Sequence, residues 1–229
     1  MTKRTVIANQ VFIGCPWKTI RPKYDRLIDV LNKKFALSFI LVGREQDQSA
    51  EDLLTVIKAK LLSSSYAIFD VTAGNANVSL EFGIAESSDI DAALYLNVHG
   101  ANKRTSEDSA IISDLAGKRR KEWKNETALQ RLLFSFCKSH PYTKRFENTL
   151  KTGMRNKKKG DKRRFRALAL KVIHYLDDKE KVRRDNLIQE MQAFQLPYTE
   201  AEIEGVLSIL KDGEVIQVTR GRYSEVLIT

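Results

Sequence analysis

An α/β fold with a parallel sheet, followed by a small helical domain, is what this 229-residue sequence predicts. Three observations carry that expectation. Short apolar runs of strand character alternate with helix-periodic segments through the first part of the chain, which implies βαβ units. From Lys162 the alternation gives way to consecutive short helical patterns. The chain then closes in two β-rich stretches around a glycine, VIQVTRGRYSEVLIT.

Each element has its own signal. Val11–Gly14 is an apolar run closed by Gly and Pro, which reads as a buried strand. Pro22 suits the first turn of a helix, in which Tyr24, Leu27, Ile28 and Leu31 recur at helical spacing. Phe35–Gly43 is a second strand. Ser49 caps a helix with an acidic first turn and an apolar stripe of Leu53, Ile57 and Leu61. Tyr66–Val71 is a third strand, the loop TAGNAN follows, and a helix runs from about Val78 to Ser87 with Asn77 as its cap. Ala92–Val98 is a fourth strand, Lys118–Trp123 a fifth, and Thr127–Cys137 an amphipathic helix. The expectation is a Rossmann-like or flavodoxin-like sheet over residues 1–140, a basic linker over 141–162, and a winged helix-turn-helix domain over 163–229. In the last of these, helices around Phe165–Leu176 and Leu187–Met191 precede a third that opens at Thr199 and stops at Gly213; the hairpin turns at Arg220–Arg222.

Composition excludes several classes. Hydrophobic residues make up 42% and charged residues 30%, an ordinary globular balance rather than a disordered one. No apolar run approaches the ~20 residues that span a bilayer, so no membrane partner is expected. The opening MTKRTVIANQ lacks the apolar core of a secretory signal. Cys15 and Cys137 form no disulfide framework, which suits a reducing cytoplasm. His99, His140 and His174 are far apart in sequence, so no metal is expected.

Charge is unevenly placed. Residues 1–100 hold 11 basic and 11 acidic side chains, 101–166 hold 20 and 7, and 167–229 hold 8 and 11. The excess therefore sits in the middle, around KTGMRNKKKGDKRRFR. Such a run binds polyanions through counterion release, or else is a solvated linker. Lys157, Lys158, Lys159, Arg163, Arg164, Arg183, Arg184, Arg220 and Arg222 are the candidate nucleic-acid contacts. A winged helix ordinarily places its third helix in the major groove. Here that helix opens TEAEIEG, and Glu200, Glu202 and Glu204 would repel phosphate. The charge in the linker makes a different nucleic-acid contact the favoured reading, with a protein partner as the other.

In a parallel α/β sheet the ligand sits beyond the carboxyl ends of the strands. Three loops converge there, after Gly14, after Gly43 and after Asp70. In SSSYAIFDVTAGNANVSLEFGIAES an acid ends the third strand, an Asn- and Gly-bearing loop follows, and Glu81 stands one turn into the next helix. FDVTAGNANVSLEFGIA resembles the D-x-[ST]-x-x-N-x-N-V-x-x-E-x-G-x-A signature of bacterial TIR-like and nucleoside 2-deoxyribosyltransferase-like proteins, and FIGCP resembles their first strand and nucleotide-facing loop. The resemblance covers roughly residues 9–135. Asn75-Ala76-Asn77 replaces the commoner N-P-N, and Glu81-Phe82-Gly83 replaces E-L-G; neither change removes a functional side chain.

The resemblance implies cleavage or exchange of the N-glycosidic bond of a nucleoside, a nucleotide or NAD, with Glu81 as catalytic carboxylate and Asp70 as the strand-end acid. It equally admits a regulator that binds a nucleotide without cleaving it. The chemistry suits those side chains: a carboxylate beside the anomeric carbon stabilises or traps the cationic sugar formed as the bond breaks. Gly14, Cys15, Pro16, Tyr24, Arg44, Asn75 and Asn77 are the expected nucleotide contacts. Competing accounts make Tyr24 a core residue, Arg44 a surface charge, Cys15 a buried thiol and the asparagines turn and cap residues. Fusion to a winged helix resembles effectors of retron anti-phage systems, which implies a defence or toxin role. Relatives often complete their sites across a subunit interface, so a homo-oligomer is expected. No resident cofactor is expected beyond the nucleotide itself.

Overall fold

The computed structural model describes residues 5–42, 50–99, 119–177, 179, 181–194, 197–219, 222–224 and 227–228. Five parallel strands form the main sheet in the order β2-β1-β3-β4-β5: β1 is Val6–Gly14, β2 Ser38–Ile40, β3 Ser64–Asp70, β4 Ala92–Asn97 and β5 Arg120–Trp123. This is the flavodoxin-like order, with its switch point between β1 and β3. Helices α1 (Arg21–Asn32), α2 (Ala50–Ser63), α3 (Ala76–Ser87) and α4 (Glu126–Ser139) flank it. The α/β expectation therefore holds for the sheet.

The period-2 alternation of the strands sorts the core into two layers. Phe12, Ala67, Phe69, Leu94 and Leu96 pack with Leu61 of α2 and with Val78, Phe82 and Ala85 of α3. Val11, Ile13, Ile68, Ala93, Tyr95 and Trp123 face the other way, onto Tyr24, Leu27, Ile28 and Leu31 of α1 and onto Leu129 and Leu133 of α4.

Strand β1 begins five residues earlier than the sequence suggests, because polar Asn9 and Gln10 are inside it. Both are buried, and their partners explain how. Gln10 Nε2 donates to the Lys60 carbonyl at 3.0 Å and to the Ser63 and Ser64 hydroxyls at 2.8 and 2.9 Å. Asn9 Nδ2 donates to Asp177 Oδ1 at 3.1 Å. The pairing of β1 with β3 shifts register between Ile7 and Val11 at this point.

The largest departure from the sequence reading concerns residues 141–162. They are not an extended linker. Helix α5 (Pro141–Gly153) buries Tyr142, Phe146 and Leu150, and α6 (Lys159–Leu176) begins inside the basic run. Their apolar faces join the α1/α4 layer, so one core cluster runs from Ala8 to Ile216. The basic residues ride on the outer faces of these helices, which masks the apolar spacing beneath them.

Helices α7 (Arg184–Gln192) and α8 (Glu200–Asp212) follow, with a three-stranded antiparallel sheet β6-β8-β7 formed by Val182–Arg183, Arg222–Ser224 and Gln217–Thr219. Thr199 opens α8 through a reciprocal capping box with Glu202. Leu227–Ile228, strand β9, then returns to pair antiparallel with Val6 and Ile7. His174 and Asp177 fasten the end of α6 to the sheet: His174 Nε2 lies 2.9 Å from the Phe35 carbonyl and Nδ1 2.9 Å from Asp177 Oδ2.

Gly213 ends α8 for a steric reason rather than a conformational one, since its φ is −86°. A Cβ there would lie 2.2 Å from Thr149 Cγ2 and Oγ1 of α5. Gly213→Ala is therefore expected to cost about 1–3 kcal/mol through overpacking, read as a lower denaturant midpoint at unchanged m-value; an unchanged midpoint would show that α5 and α8 do not meet this closely.

Candidate functional site

The carboxyl edge of the sheet carries two acids with opposite circumstances. Asp70 ends β3 on the face that meets α1, and it is fully buried. Its Oδ2 accepts from the Tyr24 hydroxyl and from Trp123 Nε1, both at 3.0 Å. Its Oδ1 accepts from the Thr72 amide at 3.1 Å and from the Thr72 hydroxyl. Thr72 Oγ1 in turn accepts from the Asn97 amide at 2.8 Å. Burial pushes the Asp70 pKa up, and the bonds from Thr72, Tyr24 and Trp123 oppose that rise. Asp70 thus holds four donors from α1, β5 and its own loop, and its oxygens face protein rather than solvent. Its place in the site is to position neighbours.

Glu81 lies on the opposite face. Helix α3 packs on the Phe12–Phe69 side of the sheet and buries Glu81, 9% exposed, among Val78, Phe82 and Ala85. The side chain reaches Gly14 at the end of β1. A Cβ built on Gly14 would lie 2.3 Å from Glu81 Oε2 and 2.7 Å from the Phe69 ring. Glycine is required here by this close approach, since period 2 puts residue 14 on the same face as Phe12. Glu81 Oε2 is buried with no hydrogen-bond partner among the described residues. Burial without compensation raises its pKa to about 7.

The loops around this carboxyl are built by short-range chemistry. Asn75, not Asn77, caps α3: its Oδ1 accepts from the Asn77 and Val78 amides at 3.0 and 3.2 Å. The helix starts two residues earlier than expected, and the Asn77 side chain is exposed. Ala73 and Gly74 both adopt left-handed φ, 60° and 61°, in the turn above Asp70. For Ala73 that conformation costs about 1 kcal/mol. Pro16 is buried, and its carbonyl accepts from the Ile20 and Arg21 amides at 3.1 Å, which starts α1. Cys15 is buried, and burial, with the charge of Asp70 next, pushes its thiol pKa far up, so it is no nucleophile.

Of the expected contacts, Gly14 and Glu81 meet directly. Tyr24 is buried in the core and spends its hydroxyl on Asp70, so the core account of that residue is the right one. Arg44 lies outside the described residues. Two residues at this edge escaped the sequence reading. Trp17, in the loop after β1, is 49% exposed, and the guanidinium of buried Arg21 sits 4.3 Å from its ring centroid. The available signal was their position directly after FIGCP, in a loop already assigned to the ligand side.

The candidate nucleic-acid residues separate into two groups. Lys157, Lys158, Lys159, Arg163, Arg183 and Arg222 are exposed. Arg164 is instead paired with Glu202 at 2.6 Å and donates to the Pro197 carbonyl at 2.9 Å. Arg184 is paired with Glu200 at 2.9 Å and Glu204 at 2.5 Å. These arginines, also exposed, have their charge answered by the carboxylates of α8. Arg220 lies outside the described residues. Among the described residues no cluster of His, Cys, Asp or Glu is disposed to hold a metal, and no helix is long and apolar enough to cross a membrane.

No protein-family model matches the chain, and no curated protein does. Among solved structures it is similar to the TIR domains of the activated Roq1 resistosome that directly recognises the pathogen effector XopQ, at 13% identity and a TM-score of 0.33, over 89% of this chain and 98% of that one.

Two outcomes follow from the contrast between the acids. Asp70→Asn turns an acceptor into a partial donor against donors, and is expected to destabilise by roughly 3 kcal/mol or more in chemical denaturation. Glu81→Gln is expected to do the reverse. The unfolded carboxyl ionises near 4.5 and the folded one near 7, so native stability falls as pH rises through that window. Glutamine avoids the cost, so the variant should gain up to about 3 kcal/mol above pH 7 and nothing near pH 4. A gain independent of pH would remove burial of the charge as its cause.

Proposed function

We propose that the chain is an N-glycosidase acting on a nucleotide, with Glu81 meeting the anomeric carbon and NAD the substrate class the site suits best. The supporting observation is Glu81 Oε2, buried, unpartnered among the described residues and pressed against Gly14 at the strand ends. As the bond from C1′ to the base nitrogen breaks, its electron pair leaves with the base and positive charge grows on the sugar. An adjacent carboxylate stabilises that charge or bonds to C1′; water then releases the sugar and restores the carboxylate.

Glycoside cleavage ordinarily uses a second carboxyl group to protonate the leaving group. Asp70 is engaged by four donors and does not supply one. That favours a base that departs without a proton. The pyridinium of NAD leaves as neutral nicotinamide, whereas a purine does not leave readily unprotonated. Exposed Trp17 offers a stacking face for a base, held by the Arg21 guanidinium, which is itself paired with Asp25 at 3.5 Å.

For the C-terminal part the proposal is a winged helix: α6, α7 and α8 with the β7–β8 hairpin as wing. Polyanion contact moves away from α8 to the corner between α5 and α6, where Lys157, Lys158, Lys159 and Arg163 are exposed, with Arg183 and Arg222 on the small sheet. A regulatory nucleic acid held there fits a role as a defence or toxin effector. Leu54 and Leu80, exposed on the packed helices α2 and α3, are the proposed self-association face. The engagement of Asp70 also favours a second reading, a nucleotide sensor that binds without cleaving.

The test incubates the purified protein with NAD and a panel of nucleosides and nucleotides, with and without nucleic acid, and follows released base by mass spectrometry. Nicotinamide release is expected, reduced about 10³-fold or more in Glu81→Gln. Because the carboxylate must be ionised, kcat/KM should rise with pH through about 7 and then level off. Retained turnover in Glu81→Gln would sink the assignment of Glu81. NAD recovered intact from a tight complex would establish the sensor instead.

A further inference from the structure

A pocket of about 590 Å³ opens where α4, α5 and α6 meet the segment before β2. Phe35, three residues ahead of β2, forms part of its wall. That places it at the amino ends of the strands, across the sheet from Glu81. Its volume lies within the range of small-molecule sites.

The lining is unbalanced in charge. Lys138, Lys144 and Arg166 face it with a single acid, Glu147. Arg166 takes that acid at 2.6 Å and also donates to the Lys34 carbonyl at 2.8 Å, so the two cancel. Lys138 and Lys144 have no acidic partner among the described residues, which leaves two positive charges on the rim. Deeper in the wall, Thr143 is 3% exposed and its Oγ1 has no hydrogen-bond partner among the described residues. Buried hydroxyls are normally satisfied; a helical threonine usually bonds the carbonyl one turn back. Asn148, one turn further along α5, adds an amide to the same wall.

We propose that this pocket binds a nucleoside phosphate, its phosphate between Lys138 and Lys144, a phosphate oxygen accepting from Thr143 Oγ1, and its ring system against Phe35. Two cations match the charge of a phosphate group, the hydroxyl and amide serve its remaining oxygens, and the aromatic wall gives the base an apolar surface. The site is separate from Glu81, whose side chain lies on the other face of the sheet. It joins side chains from α4, α5 and α6 to the sheet, so occupancy ties the C-terminal helices to the N-terminal sheet.

The full chain, labelled with ¹⁵N, would be titrated with ADP, pyrophosphate and adenosine. Saturable shifts of the Phe35, Thr143 and Lys144 amides are expected with ADP, and weaker binding by at least about tenfold for adenosine and for pyrophosphate. Lys138→Ala/Lys144→Ala changes only exposed side chains and should raise the Kd for ADP at these amides by at least about tenfold. Thr143→Val, isosteric and without its hydroxyl, should weaken ADP several-fold while keeping the native spectrum. Glu81→Gln should leave these shifts unchanged, whatever it does to base release. ADP that leaves the three amides unmoved would overturn the proposal. So would adenosine or pyrophosphate binding as tightly as ADP, or the double variant retaining full affinity.

Discussion

The carboxylate of Asp70 is the contact on which the carboxyl edge of the sheet depends. It is fully buried, yet it collects the Tyr24 hydroxyl from α1, the Trp123 indole from β5 and two donors from Thr72. Through Thr72 it also reaches the Asn97 amide at the end of β4. A buried charge with every lone pair met is fixed in place, because losing any partner exposes the full desolvation cost. Three strands and a helix are thereby registered at the edge where the loops converge. The tight turn through Ala73 and Gly74 is held by the same group, and that turn delivers Asn75 to cap α3. Glu81 follows two turns on. One acid is engaged in holding the frame; the other keeps an oxygen, Oε2, without a partner among the described residues.

The C-terminal helices are tied to this frame more closely than a tethered domain would be. Tyr142, Phe146 and Leu150 of α5 lie in the same apolar cluster as Tyr24 and Leu129. His174 accounts for a second tie. Burial alone would push its pKa down, but the hydrogen bond and charge of Asp177, with the Phe35 carbonyl, outweigh that and raise it. A protonated ring donates from both nitrogens, which suits its position between a carboxylate and a carbonyl. Asp177 also receives the Asn9 amide of β1, so a single carboxylate links α6 to the interior of the sheet. On the outer side, Arg164 and Arg184 bind the glutamates of α8. Those pairs account for a helix that opens with acids, since its charge is answered within its own part of the chain.

Much of this was legible in the sequence, and what was not has physical causes. Apolar runs located β1 to β4, because parallel strands inside a sheet are buried on both faces and leave continuous hydrophobic signals; the edge strand β5, RKEW, carries no such run. The start of β1 was hidden because Asn9 and Gln10 read as polar; only their partners, 50 or more residues away, make them interior. Helix α5 was hidden by composition, since the basic residues of residues 141–162 dominate the count while Tyr142, Phe146 and Leu150 carry the packing. The motif singled out Glu81 as the catalytic carboxylate and Asp70 as the strand-end acid, but not the surroundings that set them apart. That division rests on Tyr24, Trp123 and Gly14, which approach the two acids from distant parts of the chain. Asn75 and Asn77 are equally good caps by residue type, and the backbone geometry of the turn chose between them.

Strand β9 gives the molecule a particular history of assembly. Val6 and Ile7 lie 222 and 220 residues from their antiparallel partners Ile228 and Leu227. Contacts across such a separation carry the largest loop-closure entropy in the fold and form late. Until that pairing forms, the opening of β1 is an uncovered backbone edge, able to accept a strand from a neighbouring chain. Asn9 and Gln10 stand just beyond that stretch, and polar side chains at the margin of an open edge make foreign pairing less favourable until β9 docks.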